Sequence, residues 1–151
     1  MNAITRNRVA VLHGVNFDVL ERRDPALYGG GSLSRLENQI QQWARELGLE
    51  PLFFQTNHEG EFVEQIHQLQ ELADAALVNA GAWTHYSRAI GDALAIVGKP
   101  AVEVHLSDVE NREDWRRISV FDGLVVAKIS GKGVEGYREA LGVLAKELGA
   151  E

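Results

Sequence analysis

The sequence predicts an α/β protein built on a five-stranded parallel sheet that is covered by helices on both faces. Short apolar runs rich in valine, leucine and phenylalanine recur five times along the 151 residues and are too short to be buried helices. Between these runs, apolar residues repeat at the spacing of an amphipathic helix. Because the two kinds of segment alternate along the chain, consecutive strands are expected to pair in parallel through helical crossovers.

The five predicted strands are apolar runs bounded by polar or glycine-containing segments. They comprise residues 9–12, 51–55, 76–79, the AVEV run that follows Pro100, and residues 123–129. Lys128 interrupts the last run, which is typical of an edge strand or of a face open to solvent. Five such units suit the flavodoxin-like strand order 2-1-3-4-5.

The first three helices follow the first three strands. Ser34 and Glu37 have the spacing of a capping box, so the first helix is predicted to begin there and to end near Gly48. Apolar residues at helical spacing predict the second and third helices. Gly91 lies inside the third helix, where glycine costs roughly 1 kcal/mol, so close packing or a weak point is expected at this position.

A short helix and a long one complete the chain. Ser107 and Glu110 predict a helix cap, after which a short helix runs to about Arg117. The last helix is predicted over residues 134–148, because apolar side chains recur along one of its faces.

Polar residues follow four of the predicted strands. They lie at positions 13–16, 55–59, 79–85 and 105–107. Ligands of open α/β sheets bind beyond the carboxyl ends of the strands, so these clusters are expected to form one site. Glu103 and His105 are two residues apart on a strand and therefore point to one face. The carboxylate would set the tautomer of the imidazole for proton transfer; a purely structural ion pair is the alternative interpretation.

The segment between the first strand and the first helix, about 18 residues, is long for a compact domain. It contains Asn16, Arg22, Arg23 and Tyr28, and three glycines follow the tyrosine. This composition is typical of a mobile lid with a glycine hinge. An ordinary surface loop also has this composition and is slightly favoured on the segment alone, and both interpretations remain open at this point.

The composition limits the class of protein. A hydrophobic content of 45% and a charged content of 25% are ordinary for one globular domain, which we expect to span residues 1–151. The absence of cysteine excludes disulfides and thiolate metal sites. The net charge of −7 argues against nucleic-acid binding but allows a small anionic substrate held by local arginines. The polar start MNAITRNR and the lack of a membrane-length apolar run predict no membrane association and a cytoplasmic location.

Neither a cofactor nor a metal site is expected. The glycines at residues 131–136 spell GxGxxG between a strand and a helix, but no later strand carries the acidic residue that a dinucleotide site needs. We therefore interpret them as a tight turn with close helix packing. His85, His105 and Glu103 do not have the spacing of metal ligands on one helix.

Several short motifs are spread over nearly the whole chain. In order, they read GVNFDVLERRDPALYG, QTNHEGEF, NAGAWTHYS, DAL, EVHLS, REDWR and GKGVEGY. Their order and spacing resemble those of the type II 3-dehydroquinate dehydratase family. The resemblance implies a flavodoxin-like lyase without cofactor or metal that assembles as a dodecamer of four trimers. It implies dehydration of 3-dehydroquinate to 3-dehydroshikimate, in the shikimate pathway or in quinate catabolism.

The resemblance assigns the chemistry to five residues. It implies that Tyr28 is the general base and acts as a tyrosinate, and that Arg23 is the cation that favours the ionised phenol. Asn16 is implied to hold a water against the enolate oxygen. His105, oriented by Glu103, is implied to be the acid that protonates the departing hydroxyl group.

The resemblance also implies a set of substrate-binding residues around this chemistry. They are Asn79, His85, Arg112, Arg116, the backbone amides of Leu106 and Ser107, and Asp92. The two amides are implied to bind the substrate carboxylate. Arg112 is implied to act electrostatically, and Asp92 is implied to reach into the site of a neighbouring subunit.

The chain departs from the family pattern mainly around the lid and the subunit contact. The departures are His13 and Val15, in a turn that usually reads NGPN, and Glu21, Gly91, Asp108 and Lys128. The missing proline at Val15 is expected to loosen the turn that positions Asn16. Gly91 stands where an arginine usually precedes Asp92. The departures bear on turnover rate, substrate preference and assembly more than on the type of reaction.

Two other functions remain open on the sequence. One is a divergent enzyme that acts on a related cyclic hydroxy-keto acid, and the other is a non-catalytic binding module on the same fold. The retention of Tyr28, Arg23, His105 and Glu103 argues against the binding module, because binding alone requires neither a base nor an acid.

Overall fold

A computed structural model describes residues 6–149, which form one parallel sheet in the order β2-β1-β3-β4-β5. The strands are β1 (Arg8–His13), β2 (Glu50–Gln55), β3 (Ala75–Asn79), β4 (Ala101–His105) and β5 (Ala127–Ser130). The helices are α1 (Pro25–Tyr28), α2 (Leu33–Glu46), α3 (Glu59–Leu72), α4 (Arg88–Val97) and α5 (Glu135–Leu148). The predicted fold class and strand order are confirmed.

The strand register brings the carboxyl ends of the central strands together. His13 at the end of β1 pairs with Gln55 on one side and with Asn79 on the other. His105 at the end of β4 pairs with Ser130 at the end of β5. Polar residues that follow these strands therefore emerge along one edge of the sheet, where α/β proteins bind their ligands.

Two apolar layers enclose the sheet, and alternate residues of a strand belong to different layers. Val9 and Val11 of β1 pack with α2 and α5, whereas Ala10 and Leu12 pack with α3 and α4. The central strands β3 and β4 are buried along their whole length. This burial on both faces explains why the strands read as continuous apolar runs rather than as alternating ones. No helix within residues 6–149 is long and apolar enough to cross a membrane.

The first long helix begins two residues earlier than the predicted capping box. Ser32 is the N-cap of α2, and its hydroxyl accepts a hydrogen bond from the Arg35 amide at 3.1 Å. The prediction of a cap at Ser34 is therefore wrong. Glu37 instead turns towards His13, whose ring lies fully buried beneath this helix. Both serines have suitable cap chemistry, and the extended backbone of Ser32 decides between them.

The fifth strand is shorter than predicted and begins only at Ala127. Residues 123–126 are irregular instead, because Gly123 has a φ of +81° and the neighbouring Phe121 is anchored in the core. Leu124 and Val126 are 38% and 46% exposed, although their sequence predicted a strand. The prediction that Lys128 marks an edge strand is confirmed, since β5 is the last strand of the sheet.

The long segment after β1 contains two short helices that the sequence pattern did not predict. A 3₁₀ helix spans Phe17–Arg22, and α1 spans Pro25–Tyr28 with Asp24 as its N-cap. Phe17 and Leu20 are buried against the layer of α2 and α5, which fixes the segment on the protein. The segment is therefore a packed element that covers the end of β1.

Gly91 is required by close packing between α4 and the segment that follows Arg117. A Cβ atom at this position would lie 2.7 Å from the carbonyl oxygen of Val120 and 3.2 Å from its Cβ. The expectation of close packing at Gly91 is confirmed. An arginine, the residue that the family pattern has here, would not fit against this segment.

We expect Gly91→Ala to lower the free energy of unfolding by about 1–3 kcal/mol, because the clash outweighs the better helix propensity of alanine. Gly142→Ala is the matched control, since Gly142 also lies in a helix but an added Cβ would meet nothing within 4 Å. The control is expected to gain roughly 0.5–1 kcal/mol. Denaturant unfolding measures the free energy of unfolding of the two variants. An equal gain in stability in Gly91→Ala and Gly142→Ala would contradict the packing argument.

Candidate active site

A cleft lies at the carboxyl ends of β1, β3 and β4, under the segment that carries the two short helices. Its volume is about 600 Å³ including its open mouth. Ten of the twelve predicted site residues line it: Asn16, Arg23, Tyr28, Asn79, His85, His105, Leu106, Ser107, Arg112 and Arg116. Glu103 lies buried directly behind His105, whereas Asp92 lies elsewhere.

The hydroxyl oxygen of Tyr28 lies between two guanidinium groups. Arg23 Nη2 donates a hydrogen bond to it at 2.6 Å, and Arg112 Nη1 donates another at 2.7 Å. Arg23 also stacks over the phenol ring at 4.1 Å from its centroid. Both guanidinium groups direct N–H donors at this oxygen, so the arrangement can stabilise negative charge that develops on it.

Arg112 links the tyrosine to the opposite wall of the cleft. The same Nη1 atom that contacts Tyr28 also donates to the hydroxyl of Ser107 at 3.1 Å. The spacing of Ser107 and Glu110 predicted that Ser107 caps the following 3₁₀ helix, and this prediction is wrong. Asp108 is that cap, and its carboxylate accepts from the amide of Glu110.

Hydrogen bonds hold the turn that presents Asn16 to the cleft. The Gly14 amide donates to the Asn79 carbonyl at 2.8 Å, and Gln55 Nε2 donates to the Gly14 carbonyl at 3.1 Å. The Asn16 amide donates to Asn57 Oδ1 at 2.8 Å. Asn16 itself has a φ of +74°, a conformation that asparagine tolerates better than most residues. These bonds fix the turn where the proline of the family pattern is missing.

His13 closes the base of the cleft from below. Its ring is fully buried and stacks on Phe53 at an interplanar angle of 5°. Its Nε2 lies 3.0 Å from Glu37 Oε2 without the alignment of a hydrogen bond. His13 therefore ties the end of β1 to α2 by packing and by its contact with Glu37, and it does not line the cleft.

Asn79 is held by contacts on both ends of its side-chain amide. Its Oδ1 accepts from the Gly81 amide at 3.1 Å, and its Nδ2 donates to Tyr137 Oη at 3.3 Å. Tyr137 lies on α5 and is fully buried, and burial raises its pKa far above the usual value for tyrosine. The phenol therefore stays neutral and serves as a fixed partner for Asn79.

His105 and Glu103 form the buried pair that their alternation on β4 predicted. His105 Nε2 lies 2.6 Å from Glu103 Oε2, and the other oxygen of this carboxylate accepts from the Ser119 hydroxyl at 2.9 Å. Glu103 is fully buried, so both of its oxygens depend on these protein donors. The contact with the carboxylate places the ring proton on Nε2 and leaves Nδ1 free for other partners.

His85 stands next to this pair, with its ring 5.9 Å from the ring of His105. Its Nδ1 donates to the Ile118 carbonyl at 2.7 Å, and Trp115 packs edge-on against it. Burial lowers the pKa of His85, the hydrogen bond to Ile118 partly offsets this effect, and the neighbouring His105 and Arg116 lower the pKa further. His85 is therefore a neutral imidazole whose Nε2 can accept a hydrogen bond from a hydroxyl group.

The glycine turn after β5 orients the backbone that follows His105. The Gly131 amide donates to the Ser107 carbonyl at 3.0 Å, and the Gly133 amide donates to the Leu106 carbonyl at 3.2 Å. In a planar trans peptide the N–H points opposite to the C=O, so the Ser107 N–H points away from this turn. Gly136 packs close to Ile129, where a Cβ would lie 3.3 Å from its Cγ2. The interpretation of these glycines as a tight turn with close helix packing is confirmed.

Positive charge dominates the cleft although the protein as a whole is acidic. Arg23, Arg112 and Arg116 all line it. Glu113 partly balances this charge from outside, since its Oε1 accepts from Arg116 Nε at 2.9 Å. Within residues 6–149, no three His, Cys, Asp or Glu side chains are grouped in a way that would hold a metal ion. The cleft is thus suited to a small anion with hydroxyl groups.

Asp92 is not brought to this cleft by its own chain. It lies exposed on α4 and lines a separate surface pocket with Arg88, Gly91 and Ile118. That pocket borders the exposed side chain of Tyr86, which is 61% accessible.

Four residues that support the site had no predicted role: Asn57, Trp115, Ser119 and Tyr137. Asn57, Trp115 and Tyr137 stand inside motifs of the family pattern, and Asn57 also lies in the polar cluster 55–59, so a signal for these three was available. Ser119 lies outside all of these motifs. Ser119 and Tyr137 act on partners that are distant in the sequence.

The chain is similar over most of its length to proteins of one family. A sequence profile of the family described as Dehydroquinase class II matches residues 7–145. A protein of Syntrophotalea carbinolica named 3-dehydroquinate dehydratase is 50% identical over 139 residues, which are 91% of this chain and 93% of that protein. A protein of the same name from Pelobacter propionicus is 48% identical, over 93% of this chain and 95% of its own length. The crystal structure of type II dehydroquinase from Propionibacterium acnes matches with a TM-score of 0.88 at 37% identity, covering 94% of this chain and 98% of that chain.

Proposed function

The chain belongs to the dehydroquinase class II family, and we propose that it is a hydro-lyase that dehydrates 3-dehydroquinate to 3-dehydroshikimate through an enolate. In this proposal Tyr28 is the base, His105 is the acid, and no metal or cofactor takes part. The reaction is a step of the shikimate pathway. The observation that carries the proposal is the position of Tyr28 Oη between Arg23 and Arg112, at 2.6 and 2.7 Å.

The first step removes a proton from the carbon next to the ketone. The phenolate of Tyr28 takes this proton, and the electron pair of the C–H bond moves into the enolate. Asn16 lines the cleft. In this proposal it holds a water that donates to the enolate oxygen, which stabilises the developing charge. In this proposal Tyr28 reacts as the phenolate, and the two arginines stabilise its negative charge, so no separate base has to deprotonate it.

The second step expels the hydroxyl group from the carbon next to the enolate. The enolate oxygen re-forms the ketone, the carbon–carbon double bond forms, and the carbon–oxygen bond breaks. His105 enters this step as the imidazolium, protonated on both ring nitrogens, and its Nδ1 gives a proton to the leaving oxygen while Nε2–H stays on Glu103. Water therefore departs rather than hydroxide. The proton on Tyr28 then returns to His105 through solvent, which restores both groups.

The remaining residues bind and orient the substrate. The backbone at Leu106 and Ser107 presents N–H groups to the carboxylate, held in place by the glycine turn behind it. Arg116 adds positive charge on that side of the cleft. The neutral imidazole of His85 accepts a hydrogen bond from a hydroxyl group of the substrate ring. The fixed amide of Asn79 can both accept from and donate to such hydroxyl groups. Correct placement of a small, rigid substrate lowers the entropy cost of both proton transfers.

We also propose that the protein is a homo-oligomer, specifically a dodecamer made of four trimers. Asp92 lies outside its own cleft, beside a surface pocket rimmed by apolar side chains. Tyr86 and Ile118 there are 61% and 60% exposed, and such clustered exposure is typical of a surface that a second subunit covers. In the assembly, the carboxylate of Asp92 would reach the site of the neighbouring subunit.

We expect Asp92→Ala to lower kcat/KM about tenfold, which corresponds to one lost hydrogen bond to a charged group. Because the aspartate and the tyrosine would come from different subunits, mixed assemblies of Asp92→Ala and Tyr28→Phe chains should regain part of the activity. Native mass measurement records the assembly. A fully active monomeric Asp92→Ala protein would refute the shared site.

The direct test is to mix purified protein with 3-dehydroquinate and to follow the ultraviolet absorbance of the conjugated enone product. We expect the absorbance to rise at the same rate with and without a chelator. A flat trace with folded, assembled protein would contradict the proposed substrate, and a rise that the chelator abolishes would contradict the metal-free mechanism.

A further inference from the structure

The segment of residues 118–121, which we call the strap, contacts His85 directly and reaches His105 through Glu103. Its Ile118 carbonyl accepts from His85 Nδ1 at 2.7 Å. Its Ser119 hydroxyl donates to Glu103 Oε1 at 2.9 Å, and Glu103 in turn contacts His105. No residue of the strap lines the cleft, so the strap acts on the site only through these contacts.

The strap is held in place by the main chain on two sides. The Val120 amide donates to the Thr84 carbonyl at 2.8 Å, just before His85. Its carbonyl lies so close to α4 that only glycine fits at position 91. Phe121 is fully buried in the layer of α3 and α4 and anchors the far end. The strap therefore presents its polar groups to the histidines from a rigid position.

The direction of the Ser119 hydroxyl is fixed by its own neighbourhood. The Phe121 amide donates to Ser119 Oγ at 3.0 Å, so this oxygen acts as an acceptor there. A hydroxyl has one hydrogen, and Glu103 Oε1 is the acceptor within reach of it. Ser119 is 6% exposed and Glu103 is fully buried, so water does not replace this bond.

We propose that Ser119 is a positioning residue for the Glu103–His105 pair: it holds the carboxylate so that Oε2 faces His105 Nε2. This orientation keeps the ring proton on Nε2 and reserves Nδ1 for proton exchange with the substrate, because the hydrogen bond at one ring nitrogen sets the state of the other. The inference rests on the proposed function, in which His105 is the acid. The orientation of the ring can nevertheless be measured without any turnover.

Without the Ser119 hydroxyl, Glu103 Oε1 would be a buried carboxylate oxygen that lacks a donor. The carboxylate can then replace the lost hydrogen bond by rotating or by shifting towards the remaining donors. The geometry of its contact with His105 is therefore no longer unique. In metal sites, removing the group that orients a histidine ligand typically lowers activity 10–100-fold, and we expect an effect of that order for His105. The side chain of Ser119 does not reach the cleft, so substrate binding should change little.

The test is Ser119→Ala in the full-length assembled protein. We expect kcat to fall roughly 10–100-fold with KM nearly unchanged. Magic-angle-spinning ¹⁵N spectra of histidine-labelled free protein, recorded at a pH high enough for the His105 ring to be neutral, should show His105 move from a pure Nε2–H tautomer to a tautomer mixture, while His85 keeps its signals. The chain has five histidines, so His85→Asn and His105→Asn proteins suffice to assign both rings. Ser119→Thr keeps the hydroxyl group and should restore both kcat and the His105 signals.

Ser87→Ala is the matched control. Ser87 is also a buried serine that donates to a glutamate, Glu59, and it caps α4. Its loss should lower stability without changing kcat or the His105 signals. Unchanged His105 signals and kcat in Ser119→Ala would overturn the inference, as would equal losses of kcat in the two variants. If the wild-type protein does not turn over 3-dehydroquinate, the proposed function fails, and the spectra alone still decide the role of Ser119.

Discussion

Tyr28→Phe is expected to lower kcat by about 10²–10⁴, the range that a positioned general base contributes. The variant loses only the hydroxyl oxygen that Arg23 and Arg112 share. The aromatic ring stays, and with it the stacking of Arg23 on its face. Both arginines remain in the variant, so the cleft keeps its positive charge. We therefore expect KM to stay within a few-fold of the wild-type value and the melting temperature to change little.

Steady-state kinetics with 3-dehydroquinate measures the effect, and calorimetric titration with a non-reacting anionic analogue measures binding separately. The control is Tyr86→Phe, which makes the same chemical change at a tyrosine that does not line the cleft and keeps the apolar ring that the proposed subunit contact covers. Its kcat should equal that of the wild-type protein. Near-normal turnover by Tyr28→Phe would show that another group is the base.

The sheet could be predicted from the sequence because its strands are buried on both faces. Burial leaves an unbroken apolar run, as in residues 75–79, and such a run is visible without any neighbour. Local chemistry was a weaker guide. Ser32 and Ser34 are equally good caps, and only the path of the chain before α2 selects Ser32. The run 123–126 is as apolar as a strand, but the turn at Gly123 takes it off the sheet.

The candidate site was predictable where it depends on position along one strand. Glu103 and His105 are two residues apart on β4, so their pairing follows from the alternation of side chains. Contacts between distant segments were not predictable in this way. Arg112 and Tyr28 are 84 residues apart, and Tyr137 and Asn79 are 58 residues apart. Nothing in either local sequence indicates the partner, because the meeting is produced by the packing of whole elements.

His105→Ala is expected to lower kcat by about 10²–10⁴, because the departing hydroxyl group loses its proton donor. The same change should also lower stability. Glu103 is fully buried, and His105 supplies one of its two hydrogen bonds. Removing one partner of a buried charged group typically costs about 3–5 kcal/mol. A loss of activity in this variant alone would therefore mix chemistry with unfolding.

The double variant Glu103→Met/His105→Ala separates the two effects. Methionine has nearly the volume of glutamate and carries no charge, so the buried carboxylate that lost its partner is gone. Ser119 then keeps a hydroxyl without an acceptor, at a cost of about 1–3 kcal/mol, so the double variant should regain only part of the lost stability. It should regain none of the lost kcat, since no acid stands at the leaving group. Denaturant unfolding and steady-state kinetics on the three proteins test both expectations. Recovery of kcat together with stability would mean that His105 acts by supporting the fold and that the proton comes from elsewhere.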